Sequence, residues 1–362
     1  MPSRLRLSPA ALAAAAAVLV PFPIRALPPL EEHLVFRDSL GRWSHFHSQG
    51  SSTAPSRLEL HEGRWPLSRD HHHSPPSSLR LSWTSEPGGD WRMTLQTPSW
   101  YGRPLAFKGD HLAFWCWSDS ELHHQHSPRL YLVDAEGHGN PARPLLAPGE
   151  TLPARRWVRM ELPFASFTNL FNGTEDPRFN PSRLARMVFT QGLPDRVDHT
   201  LYLDDVQVGP RASGDAEPPP TPTHLQVEGQ DSHFDLRWKV VPEHDTAEVR
   251  VHRSWDGRAF EPVGAADPRR GRFVDFIGRT NRTAWYRLTA LDLHANESQP
   301  GPAVSASTRE LTDDALLSMV QEACFRYYWE AAHPGAGMAL EIIPGDPNQV
   351  AVGASGFGLM AL

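Results

Sequence analysis

The chain is predicted to be mostly β. Three features carry that prediction: short runs that alternate apolar and polar residues, 35 prolines scattered in turn-like clusters, and 12 tryptophans with no long apolar helical stretch before the last fifty or so residues. At 362 residues the chain exceeds one comfortable core, so two to three domains are expected.

The first residues carry Arg4 and Arg6, an Ala/Leu/Val run from Pro9 to Val20, and then Pro21 and Pro23 ahead of Ala26. That layout reads as a signal peptide over residues 1–26, with export to the periplasm or medium. The apolar run is too short for the ~20 residues that span a bilayer, so no stable membrane insertion is expected once it is removed.

Residues 33–209 come next. Alternation at 79–83, 91–95, 111–115, 129–133, 157–162 and 201–206 gives each strand a core side and a wet side. Many such strands at this spacing predict a jelly-roll β-sandwich. Residues 210–223 are rich in Pro, Ser and Thr and have nothing to bury, which predicts a semi-rigid linker. A fresh strand pattern over 224–309 suits a second sandwich of about seven strands.

The rhythm changes at Thr312. Leu316, Leu317, Val320, Cys324, Tyr327, Tyr328 and Ala331 recur at intervals of three and four, behind Thr312 as a cap and Asp313 and Asp314 in the first turn. A helix stopping before His333-Pro334-Gly335 is expected, and a second one starting near Gly353. Such a pair needs neighbours to cover its apolar stripe, so the chain is expected to end inside a larger helical domain.

The formal charge is −7 with both signs interspersed, and no basic stripe exists to meet a run of phosphates, so nucleic acid is excluded as a partner. Cys116 and Cys324 are the two cysteines, far apart and predicted to be small buried hydrophobes. Neither a disulfide framework nor a zinc site follows from them.

Residues 316–321, 324–329, 332–334, 337–339 and 356–361 resemble, in order, the start of the glycoamylase-like family of (α/α)6-barrel glycoside hydrolases, known chiefly for β-1,2-glucan hydrolysis. The resemblance implies that residues 312–362 form the first helices of a truncated α-helical (α/α)6-barrel start. It also implies a polysaccharide or oligosaccharide substrate, with His333, Glu341 and Phe357 near sugar subsites. The plainer readings are His333-Pro334 as a helix stop and Phe357 as core. Glu341 is followed by Ile342, where the family has an arginine. Glycosidic cleavage uses two carboxyl groups and needs no cofactor. No such pair can be assembled from these residues, and the resemblance implies that it lies beyond Leu362, so no catalytic residue is assigned.

With its Trp-rich strands, the first module resembles a galactose-binding-like carbohydrate-binding module. Aromatic rings suit the apolar face of a pyranose, and Trp91, Trp100, Tyr101 and Trp117 are the candidate platform, against core filling as the alternative. Trp115 and Trp117 share a face opposite Phe114 and Cys116, so that face must be outside or covered by loops. Asp38 in the first strand and Asp204 and Asp205 in the last could gather for a structural calcium, with pairing to Arg37 or Arg42 as the alternative. The clusters His71-His72-His73 and His123-His124 with His126 are expected as solvated loop residues rather than a metal site. The second sandwich, with Trp238 early and residues 285–290 late, resembles a fibronectin type III domain whose Tyr286 sits on the tyrosine-corner strand.

Two functions compete on these grounds. The first is a secreted polysaccharide-degrading glycoside hydrolase acting on β-glucan, possibly β-1,2-linked. The second is a non-catalytic extracellular glycan-binding or adhesion protein.

Overall fold

The structure is a computed structural model and describes residues 28–37, 47–97, 103–167, 178–239, 246–330, 332–343 and 348–361. Two β-sandwiches follow one another. In the first, a five-stranded sheet runs in the order Arg143–Pro144, Arg129–Asp134, Leu184–Thr190, Asp90–Gln96, Gln49–Thr53. It faces a seven-stranded sheet built on Val158–Pro163, His111–Ser118, Asp198–Gly209, Ser78–Thr84 and Arg57–Leu58, with Leu34–Phe36 and Leu67–Ser68 added at its side.

The alternation read from the sequence sets the core. Trp91, Met93 and Leu95 point inward from one strand and pair laterally with Phe189 and Met187, while Leu79, Leu81, Phe114, Cys116, Leu201 and Leu203 close the space from the other sheet. Trp65 meets Phe189 edge-on at 5.4 Å between ring centroids, a favoured aromatic geometry. Burial raises the Cys116 thiol far above its ordinary pKa, which leaves it a small hydrophobe. Cys324 is exposed, against the expectation of burial.

The second sandwich has a three-stranded sheet (Thr223–Gly229, His233–Lys239, Arg272–Phe276) on a four-stranded one (Glu261–Ala266, Thr246–Ser254, Thr283–Asp292, Val304–Ser307). Trp238, Phe234, Leu236, Val249, Val251, Tyr286 and Leu288 fill it. The Tyr286 hydroxyl donates to the Asp275 carboxylate at 2.8 Å, and Arg253 reaches the same oxygen at 2.7 Å. Its partner is thus a carboxylate, not the upstream backbone that a tyrosine corner uses.

Helix α1, Asp313–Trp329, starts where the rhythm changes, with the Thr312 side chain accepting from the Ala315 N–H at 3.3 Å. Helix α2 spans Val352–Ala361. The expectation that this segment opens an (α/α)6 barrel is corrected here. Among the described residues α1 and α2 are the only α-helices, and the other elements are strands and short 3-10 turns. A period near 3.5 specifies a helix, but it says nothing about how many helices surround it. No residue of α1 is buried, and its ties to the second sandwich are the surface pairs Arg237–Glu322 and Arg272–Glu330, both at 3.6 Å.

Trp91 is the largest inward side chain of its strand, and its indole N–H is satisfied by Ser85 Oγ at 3.1 Å. Trp91→Ala is expected to cost about 3–5 kcal/mol through the cavity it leaves, read as a lower denaturation midpoint. A loss below about 1 kcal/mol would mean that the indole does not support the core.

Candidate functional site

Over Trp115 and Trp117 the outward face of the seven-stranded sheet is covered, and histidines cover it. Trp115 and Trp117 alternate against the inward Phe114 and Cys116. The His71 ring stacks on Trp117 at 3.8 Å and 21°, with Tyr202 edge-on at 5.3 Å. The His73 ring stacks on Trp115 at 4.0 Å and 14°. These histidines are therefore not solvated loop residues. Flat rings laid on indoles seal apolar area while leaving their ring nitrogens free for polar partners. Burial first, and then the neighbouring His71 and His73, hold His72 below the ordinary histidine pKa.

The same segment grips two consecutive carboxylates. Asp204 lies beside Trp115 across the sheet, and a register irregularity follows it before Gln207. Asp205 has φ of +48°, a left-handed conformation that Asp tolerates better than most residues. Neighbouring side chains on a regular strand point to opposite faces, and a bulge relaxes that rule. Both carboxylates consequently meet residues 73 and 74, Asp204 through their backbone and Asp205 through their side chains. Asp204, with no exposed surface, accepts from the His73 N–H at 2.8 Å, the Ser74 N–H at 2.9 Å and the Asp205 N–H at 2.9 Å. Asp205 Oδ2 meets His73 Nδ1 at 2.7 Å and accepts from Ser74 Oγ at 2.8 Å.

From there the charges cross into the second sandwich. Arg250 lies 3.9 Å from Asp205, and its Nε donates to Glu248 Oε1 at 2.5 Å. Arg37 of the first sandwich reaches the other Glu248 oxygen at 2.8 Å. Arg250 also approaches Glu297 at 3.5 Å, and His252 does so at 3.7 Å. Burial works against the Arg250 charge, but Glu248, Asp205 and Glu297 prevail and raise its pKa further. Burial, and next the Asp205 charge, push Asp204 well above the carboxylate range. Burial would also raise Asp205, but His73, Arg250 and Arg37 hold it down.

A carboxyl pair with pKa values driven apart can mark a general acid and base. Here Asp204 is sealed from solvent and held by three backbone N–H groups, and Asp205 is tied to histidine and arginine, so the pair acts as a joint. It also accounts for the calcium expectation. Asp38 lies outside the described residues, and the oxygens of Asp204 and Asp205 face N–H, O–H and cationic groups, with Asp205 Oδ1 alone lacking a hydrogen bond. Calcium takes six to eight oxygens. The residues that sequence reasoning missed are Glu248, Arg250 and His252. Their signal was present: they alternate on one face of the Thr246–Ser254 strand against Ala247, Val249 and Val251.

The remaining predicted site residues fall as follows. Trp91 is 1% exposed and Trp117 8%, so neither offers a free face to a sugar. Trp100 and Tyr101 lie outside the described residues. His333 Nδ1 accepts from the Gly335 and Ala336 N–H groups at 3.1 and 2.9 Å, which makes it the acceptor that closes a turn. Glu341 is exposed, and so is Phe357 at 64%. Between the helices, Phe325, Tyr328, Trp329, Met338 and Leu359 line a cleft of ≈ 380 Å³. The Trp329 ring stacks on Phe325 at 5.8 Å between centroids.

Among solved structures, a β-1,2-glucanase from Parabacteroides distasonis superposes with a TM-score of 0.75 at 32% identity, over 92% of this chain and 47% of its own. An exo β-1,2-glucooligosaccharide sophorohydrolase (non-reducing end) from the same organism is 31% identical over 332 residues, 91% of this chain and 45% of its own length. The chain is thus homologous to a β-1,2-glucanase over nine-tenths of its length, and it spans about half the length of the relatives it matches. No family model matches. The likeness covers nine-tenths of a chain whose described residues are mostly strand, so the expected truncated (α/α)6-barrel start is not supported.

Glu297 provides a test of the joint. The His252 ring first, with Thr289 and Arg250, holds its carboxyl at about 2 from 4.5 against the opposing pull of burial. A depressed carboxylate stabilises the fold above its unfolded pKa, and that contribution is lost as pH falls from about 5 toward 2. Glu297 is over a third exposed, so Glu297→Gln is expected to cost about 1–2 kcal/mol at pH 7 after solvent screening. The gap to the unsubstituted protein should close on acidification. A difference independent of pH would remove charge as the cause.

Proposed function

We propose that this chain is part of a secreted glycoside hydrolase that degrades β-1,2-glucan and releases short oligosaccharides. The supporting observation is the likeness to both β-1,2-glucan-degrading proteins over more than nine-tenths of the chain, both sandwiches included. An adhesion or purely glycan-binding protein would need no such likeness to enzymes of one linkage class. In this reading the first sandwich is a jelly-roll carbohydrate-binding-like module, and the second is a fibronectin type III-like spacer. The joint between them fixes the angle at which glycan is presented. Export follows from the signal-like residues 1–26, and no helix among the described residues is long and apolar enough to cross a membrane.

Substrate contact is assigned to the helical segment, where Phe357 is exposed next to the cleft-lining Gly358 and Glu341 is exposed two residues after the cleft-lining Ala339. His333 serves the turn beneath them. A structural calcium stays outside this reading, because donors of the protein occupy the carboxylates that would hold it.

The test is hydrolysis by the protein expressed from its own gene. Disaccharide release from β-1,2-linked glucooligosaccharides, with none from β-1,3- or β-1,4-linked ones, is the expected chromatographic result. Phe357→Ala should raise KM about tenfold, a loss of ~1.4 kcal/mol of stacking, with kcat little changed. Absence of product from every linkage would sink the proposal.

A further inference from the structure

The outward face of the five-stranded sheet differs in charge from that of the seven-stranded sheet opposite it. Its strand register sets the side chains in rows. Arg129, Thr190, Arg92 and Ser51 lie side by side. The next row holds Tyr131, Val188, Thr94 and Gln49, and the one after it Val133, Arg186 and Gln96.

Val188 is 3% exposed and Val133 7%, although both point away from the core. The turn at Gly139 lies against Val133, whereas Val188 sits between Tyr131 and Thr94, so Val188 forms the apolar floor of a shallow trough with arginines on both sides. Arg92, Arg129 and Arg186 are exposed, and Tyr131 is half-buried beside the floor.

On the outer face of the opposite sheet the arginines are neutralised: Arg57 sits 3.4 Å from Asp198, Arg159 sits 3.2 Å from Glu161, and Arg80 pairs with Glu59. Among the described residues no carboxylate comes within ion-pair distance of Arg92, Arg129 or Arg186, and Arg129 turns one nitrogen to the Ala142 carbonyl. One face of a protein of net charge −7 is therefore left positive. Guanidinium groups recognise planar carboxylates through paired hydrogen bonds, and the Tyr131 ring offers a surface for the apolar side of a pyranose.

We propose that this trough binds an acidic glycan, a polysaccharide whose rings carry carboxylate groups. With strands ~4.8 Å apart and ~3.3 Å per residue, Arg129 and Arg92 stand ~10 Å apart and Arg92 and Arg186 ~14 Å. Charges spread over that distance suit a polymer with recurrent anions better than one small ion. Single-stranded nucleic acid fits less well, because its recognition uses several aromatic rings under successive bases and this face has one. The proposal is independent of the hydrolase reading, which concerns neutral β-1,2-glucan at the helical segment.

Affinity electrophoresis of the intact protein tests it. Gels containing polygalacturonate or alginate should retard the protein, the retardation should fade with added salt, and neutral β-1,2-glucan should not reproduce it at this face. Replacing Arg92 and Arg186 together by Gln should weaken retention about tenfold or more, and Tyr131→Ala should weaken it severalfold. Arg57→Ala on the other sheet should leave it unchanged. Should the double variant unfold, the pair Arg92→Lys and Arg186→Lys keeps the charge and should retain part of the binding. Unaltered mobility in both acidic glycans would overturn the proposal. So would full retention in the folded double variant, or tighter binding of a single-stranded oligonucleotide than of either glycan. Loss of β-1,2-glucan hydrolysis would leave it standing.

Discussion

The two sandwiches are held to each other by charge taken out of water. Arg250 is the centre: it is buried among Glu248, Asp205 and Glu297, and Arg37 reaches across from the first sandwich to share Glu248. Removing one partner from such an arrangement leaves an uncompensated buried charge, typically at ~3–5 kcal/mol, whereas keeping all of them roughly balances desolvation. Its value lies in geometry more than in net stability. Hydrophobic contact would allow the second sandwich to slide, while hydrogen-bonded charges fix one arrangement. Two further ties restrict it, from Gln207 to the Leu293 carbonyl at 3.1 Å and from Asn296 to the Asp215 carbonyl at 3.1 Å.

The joint explains why an aromatic-rich strand need not be a sugar platform. Trp115 and Trp117 face outward by strand alternation, yet the segment after Asp70 returns over them because Asp204 and Asp205 capture its backbone and His73. Ring stacking and carboxylate capture use the same few residues and reinforce each other. The outer faces of the first sandwich are thereby divided. One is sealed over Trp115 and Trp117 and turned there to structural work, while the other keeps its arginines unpaired.

Much of this was legible in the sequence. Period-two alternation grouped Trp91, Met93 and Leu95 on one face of their strand and Phe114 and Cys116 on one face of theirs. It did not say which face was inward, so Trp91 was expected as a sugar platform although it is core. The change of rhythm placed α1 at Thr312, because local periodicity reflects one face being buried. The barrel expectation failed because helical period carries no information about partners. Histidines 71–73 were misjudged because composition describes a loop's neighbours in sequence, whereas their partners, Trp115, Trp117 and Asp205, are more than forty residues away along the chain. The calcium expectation singled out Asp204 and Asp205, but it could not foresee that Arg250 would come from a different module.

The sealing of Asp204 and Asp205 bears on how such proteins can be recombined. A Pro-rich stretch between two sandwiches looks like a convenient seam for swapping one module into an unrelated protein. Cutting there would strand Arg37 on one side and Arg250 with its glutamates on the other, each facing solvent or a mismatched surface. The heritable unit is therefore the pair, and shuffling would be tolerated only at its outer borders.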